Sequence, residues 1–171
     1  MPRVPRPWHK GKTTYIRLFG CTLKVSWGDT EEWVRHYEEL RGRAKNLLPV
    51  FQRYGSYLLE SIERNFQAQG RPERWAPLNP LYAARKAKKW PGRGILEASG
   101  AMRRGFEYYA TPQTLKIRNA ARWWWIVHQK GTTNLFGRGI RLPARVMVIM
   151  QRADKGVFTR WARRYILTGT V

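Results

Sequence analysis

From Asn46 to Gln69 an apolar residue returns every third or fourth position: Leu47, Val50, Phe51, Tyr54, Leu58, Ile62 and Phe66. This is the period of a helix with one buried face, and Gly70 stands where a C-terminal stop belongs. Pro49 fits such a helix only in its first turn, which sets the start near Asn46. A shorter amphipathic stretch, "GDTEEWVRHYEEL", comes before it. Asp29 or Thr30 can cap it, its first turn is acidic, and Trp33, Tyr37 and Leu40 share a face ahead of Gly42. "DKGVFTRWARRYIL" predicts a C-terminal helix with Val157, Phe158, Trp161 and Tyr165 inward and Arg160, Arg163 and Arg164 outward.

Strand patterns lie between and before these helices. "TTYIRLFG" and "CTLKVSWG" alternate apolar with polar residues and predict two strands or a hairpin. Residues 105–119 predict two more around "TPQT", the second alternating Leu115 and Ile117 with Lys116 and Arg118. The glycine-rich stretch at 134–145 predicts a loop. After it, "VMVIM" at 146–150 is a fully apolar run of the kind a buried strand shows. None of these strands is spaced as a βαβ unit. The pattern therefore predicts an α+β fold, an antiparallel sheet of about four or five strands packed by the 46–69 helix and the C-terminal helix. It is read as a single domain over 14–171 behind a basic, proline-rich arm at 1–13.

Two segments carry candidate function. Asn79 and Pro80 can cap and open a short helix, but Arg85, Lys86, Lys88, Lys89 and Arg93 crowd the residues beyond its first turn. That density of cations predicts an exposed, mobile basic loop at about 83–95. The second segment is "WWWIVHQKG", which suits a helix of two or three turns ending at Gly131. Successive rings on a helix point about 100° apart, so Trp123, Trp124 and Trp125 cannot all enter one core. They are read as shared between core and subunit interface, in preference to stacking on unpaired bases, with His128 and Gln129 as hydrogen-bonding positions.

Charge sharpens the partner question. The 33 lysines and arginines against 11 carboxylates leave a net charge of +22. A surface this positive repels itself unless it meets anions, so a polyanion belongs in its working environment. Catalytic and metal-binding candidates fall away. His9, His36 and His128 show no metal-ligand spacing, Ser99 lacks the glycine of a nucleophile elbow, and the single cysteine, Cys21, allows no intramolecular disulfide. "GKTT" at 11–14 lacks the upstream glycine of a P-loop. No catalytic residue, metal or cofactor is expected, nor a signal peptide or membrane span.

Several short boxes occur in a telling order. They are Trp75, Pro77 and Leu78 in "WAPL"; Leu96, Ser99 and Gly100 in "LEASG"; Val127, His128, Gln129 and Gly131 in "VHQKG"; and Pro143, Ala144 and Arg145 in "PAR". In this order, over about residues 21–167, the chain resembles the virion morphogenesis (tail completion) proteins of Mu-like tailed bacteriophages and prophages. It departs from them at Trp124-Trp125, where the family has Tyr-Ala, and at Val146-Met147, where it has an aromatic residue. The resemblance implies a non-enzymatic virion protein of the head–tail junction or tail top (tail completion, tail terminator or head–tail joining), assembled in the host cytoplasm. It implies a ring homo-oligomer, six copies being the favoured number, that meets other connector and tail tube proteins. Double-stranded DNA in the channel of such a ring would account for the basic loop. The rival expectation is a basic nucleic-acid-binding protein that grips phosphate directly.

Overall fold

The computed structural model describes residues 13–18, 21–26, 30–121 and 124–171, with side chains from residue 32 onward. Most of the expected arm, and Trp123, lie outside these residues. Two compact units divide the chain, Met1–Lys45 and Asn46–Val171.

In the first unit, β1 (Thr13–Leu18) and β2 (Cys21–Ser26) pair antiparallel as the hairpin their alternation predicts, with Ile16 opposite Leu23. The helix α1 (Thr30–Lys45) comes next. None of its described side chains is buried, and the ion pairs Arg41–Glu38 and Arg43–Glu39 run along its exposed surface. Such pairs add little stability.

The second unit is built on α2 (Leu48–Gln67), which carries Pro49 in its first turn as expected. Its buried row runs at every fourth residue through Val50, Tyr54, Leu58, Ile62 and Phe66. Phe66 and Met147 are fully enclosed and pack with Ile62 and Trp75; Leu96, Phe106 and Trp125 pad the cluster. Each such side chain contributes about 1.5–3 kcal/mol by leaving water. The short helices α3 (Pro80–Lys89) and α4 (Ala101–Arg104) lead to β3 (Phe106–Ala110) and β4 (Leu115–Asn119), which pair antiparallel around "TPQT". β3 lies directly on α2. A Cβ on Gly55 would sit 2.5 Å from the Tyr108 ring, so only glycine admits this approach. The chain continues through α5 (Trp124–Lys130), the pair β5 (Thr132–Leu135) and β6 (Ile140–Leu142), and α6 (Arg152–Thr168). α6 closes on α2 through Phe158, which stacks 5.7 Å from Phe51, and Trp161, edge-on 5.9 Å from Tyr57. Its first turn is tied down where the buried Asp154 accepts from Tyr57 Oη at 2.7 Å and from the Gln151 N–H at 2.8 Å. Arg160, Arg163 and Arg164 face outward, as the pattern predicts.

The α+β class holds, but the expected sheet of four or five strands does not appear among the described residues. There are instead three antiparallel pairs, β1–β2, β3–β4 and β5–β6. "VMVIM" is the reason. It is buried as predicted at Met147, yet it is no strand, because side chains take up its backbone groups. Gln129 Oε1 accepts from the N–H groups of Met147 (2.8 Å) and Val148 (3.0 Å), and Gln129 Nε2 donates to the Val148 carbonyl at 2.7 Å. Asn65 Nδ2 donates to the Met147 carbonyl at 2.7 Å, and Trp75 Nε1 to that of Val146 at 3.0 Å. A segment satisfied in this way needs no neighbouring strand. The stretch at 134–145, expected as a loop, contains β6 and part of β5.

Candidate functional site

The four sequence boxes converge in the second unit. Arg145 is the pin. It is 4% exposed, donates from Nε to the Ala76 carbonyl and from Nη2 to the Pro77 carbonyl, both at 3.0 Å, and its own N–H bonds the His128 carbonyl at 2.7 Å. The "PAR" box is thereby held against "WAPL" on one side and "VHQKG" on the other. Gly131 allows the second approach. It has φ +72°, and a Cβ there would meet the Ala144 nitrogen at 2.7 Å. The "LEASG" box is drawn in by Arg103, whose guanidinium bridges Glu63 of α2 and the buried Glu97. That pairing holds the Glu63 carboxyl below the usual glutamate range.

Between the boxes lies a groove of about 620 Å³, a volume typical of ligand sites. Pro77 and Leu78, Leu96 with Ser99 and Gly100, His128, and Pro143 with Arg145 all line it, so each box contributes. Its wall is largely apolar, with cations set into it. Lys86 is 4% exposed and donates to the Gly94 carbonyl, while Arg141 stands exposed at the rim. Burial pushes the Lys86 ammonium below the usual lysine range, with Glu97 opposing and Arg145 reinforcing the shift.

These positions revise the basic-loop expectation. Arg85, Lys86, Lys88 and Lys89 belong to a regular helix, α3, capped as predicted by Asn79, whose side chain accepts from the Leu81 N–H at 3.0 Å. Arg85, Lys88, Lys89 and Arg93 are exposed, but Lys86 is not. Helical spacing places Lys86 inward beside Ala83 and Trp90, which are also partly covered.

The tryptophan row divides as its geometry requires. Trp125 packs into the core with its ring 6.2 Å from Phe106. Trp124 is 39% exposed at the groove, stacked on His128 at 6.3 Å and edge-on to Phe136 at 5.9 Å. Gln129 bonds as expected. His128 does so only through its backbone, since its buried Nδ1 has no hydrogen-bond partner. Burial, and secondarily Arg145, hold the imidazole below the usual histidine range. The folded chain therefore resists a proton that the unfolded chain takes up below about pH 6.5. Stability is expected to fall as pH drops from 7 into mild acid, beginning as it passes the unfolded value of about 6.5. Urea unfolding of the wild type and of His128→Gln at both ends checks this; equal slopes in the two proteins would refute it.

Among the described residues no group of three or more His, Cys, Asp or Glu side chains could hold a metal ion, and no helix is long and apolar enough to cross a membrane. The geometry instead explains the boxes as parts of one structural device, a pinned corner around a groove. No curated protein and no solved structure matches the chain. The model of the phage virion morphogenesis family matches residues 28–166, which takes in all four boxes and the elements that join them. The chain belongs to the phage virion morphogenesis family.

Proposed function

We propose that this protein is a non-enzymatic structural component of the phage head–tail junction or tail top, acting as a ring homo-oligomer through which double-stranded DNA passes. Family membership carries the virion assignment. The ring is what the resemblance to tail completion proteins implies, and charge supports DNA in its channel. A net +22 concentrated on one small chain needs a polyanion, and a ring lumen confines one without base-specific contacts. Exposed Arg85, Lys88, Lys89 and Arg93 are the side chains assigned to that lumen. Connector proteins on the head side and tube proteins on the tail side complete the assembly.

Replacing those four residues with glutamine is expected to leave melting temperature and native mass unchanged, because exposed charges contribute little to folding. Joining of DNA-filled heads to tails should fall severalfold, read as infectious particles assembled in an extract. A normal titre would remove α3 from the channel. The same net charge supports the rival reading, a basic protein that grips nucleic acid directly. Tight, saturable DNA binding by a monomer or dimer, with a steep salt dependence, would favour that reading.

A further inference from the structure

The C-terminal helix α6 carries Arg152, Lys155, Arg160, Arg163 and Arg164, all exposed, against one carboxylate, Asp154. That carboxylate is buried, where it accepts from Tyr57 Oη and the Gln151 N–H. The acids of α2, the helix on which α6 packs, are engaged as well. Glu60 lies 3.9 Å from Arg64, and Glu63 pairs with Arg103. Among the described residues none of the five α6 cations forms an ion pair.

Helical geometry gathers these cations on one face. At about 100° per residue they fall within half the circumference, opposite Phe158 and Trp161, which pack on α2. From Arg152 to Arg164 the rise is about 18 Å, a length over which one strand of a duplex carries about five phosphates. Like charges this close repel one another unless an anion of matching density lies across them. Four of the five are arginines, whose planar fork meets phosphate oxygens bidentately. Tyr165 shares the side of Phe158 and Trp161, so the cationic face offers no ring for stacking on unpaired bases. The apolar side of α6 is spent on α2, which leaves none to enter a lipid surface. Double-stranded DNA is the occupant this face fits.

We infer that the outward face of α6 is a second DNA-binding surface, one that tracks the phosphate backbone of a duplex without reading its sequence. This rests on the part of the proposed function that makes duplex DNA the partner, and it needs no ring. It adds to α3 a surface within the same unit.

The test measures binding of the full-length protein to two duplexes of unrelated sequence, between about 50 and about 200 mM salt. The wild type should bind both alike, with log K falling steeply and linearly against log salt. Arg152→Gln/Lys155→Gln/Arg160→Gln/Arg163→Gln/Arg164→Gln should keep the wild-type melting temperature. Its salt slope should shrink by about 0.9 for each phosphate released, up to about 4.5, and its affinity should fall at least tenfold at about 100 mM salt. Arg152→Lys/Arg160→Lys/Arg163→Lys/Arg164→Lys keeps the charge and should keep the slope. A control removes five exposed cations elsewhere in the unit, Lys116→Gln/Arg118→Gln/Lys130→Gln/Arg138→Gln/Arg141→Gln, and should change the slope by less than half as much. Equal losses in the control and the α6 variant would overturn the inference, because attachment would then be spread over the whole surface. So would an unchanged slope in the α6 variant, or tighter binding of single strands than of duplex. Native mass of the same samples reads the ring separately. A monomeric wild type that binds duplex through α6 removes the ring and upholds this surface, whereas a ring whose α6 variant binds unchanged removes this surface alone.

Discussion

Replacing Gln129 with leucine is expected to cost the fold about 3–5 kcal/mol, among the largest losses any single polar residue here can cause. The side chain size is nearly kept, so the loss comes from hydrogen bonding. Three backbone groups, the N–H groups of Met147 and Val148 and the carbonyl of Val148, lose their partner together. Met147 is fully enclosed, so water cannot readily replace the amide. Each stranded group costs about 1–3 kcal/mol, against a total stability of roughly 5–15 kcal/mol for a domain. Urea unfolding gives the free energy. Amide hydrogen exchange gives the location: Met147 and Val148 should lose protection well before β3 and β4 do. A loss under about 1 kcal/mol, with those amides still protected, would mean that the segment holds by packing alone.

The same residue marks where sequence reading stops. The period of α2 and the alternation of β4 are repeating signals, and each repeat restates which face is buried, so both elements follow from the pattern. "VMVIM" is equally apolar, and its burial at Met147 was legible. Its backbone partners were not, because they come from Asn65, Trp75 and Gln129, as many as 82 positions away, and no local pattern records a side chain standing in for a strand. β5 and β6 escape the pattern for the opposite reason. They are short and largely exposed, so the alternation that would signal them is absent. Lys86 sits in a run of cations whose abundance hides its helical position, one inward place on α3 among exposed neighbours.

The candidate site was legible as a set of boxes and illegible as a shape. Order along the chain identifies "WAPL", "LEASG", "VHQKG" and "PAR", and the family match covers them. That Arg145 pins the first to the last, and that Gly131 is glycine because the Ala144 backbone passes so close, are facts of three-dimensional contact.

The tryptophan row gives the second large expected effect, because two adjacent residues of one type should fail in different ways. Trp125→Ala removes a ring packed against Phe106 in the central cluster, and should lower the unfolding free energy by about 3–5 kcal/mol, the usual cost of truncating a large core aromatic. Trp124→Ala removes a ring that is 39% exposed and rests on His128 and Phe136. Its loss to the free subunit should be about 1 kcal/mol, as for one aromatic contact at a surface. On the proposed ring reading assembly should suffer far more, since this indole is exposed beside the groove and aromatic anchors concentrate interface energy. Melting temperature and native mass, measured side by side, separate the two. Trp125→Ala should melt early at any concentration, whereas Trp124→Ala should melt near the wild type and, on the proposed ring reading, show a smaller native mass than the wild type at the same concentration. The division follows from helical geometry, in which a step of about 100° carries the side chain from the core side of α5 to its outer side. If Trp124→Ala keeps the full native mass and loses only its affinity for single-stranded DNA, the exposed ring is a base-stacking surface and the interface role assigned to it is wrong.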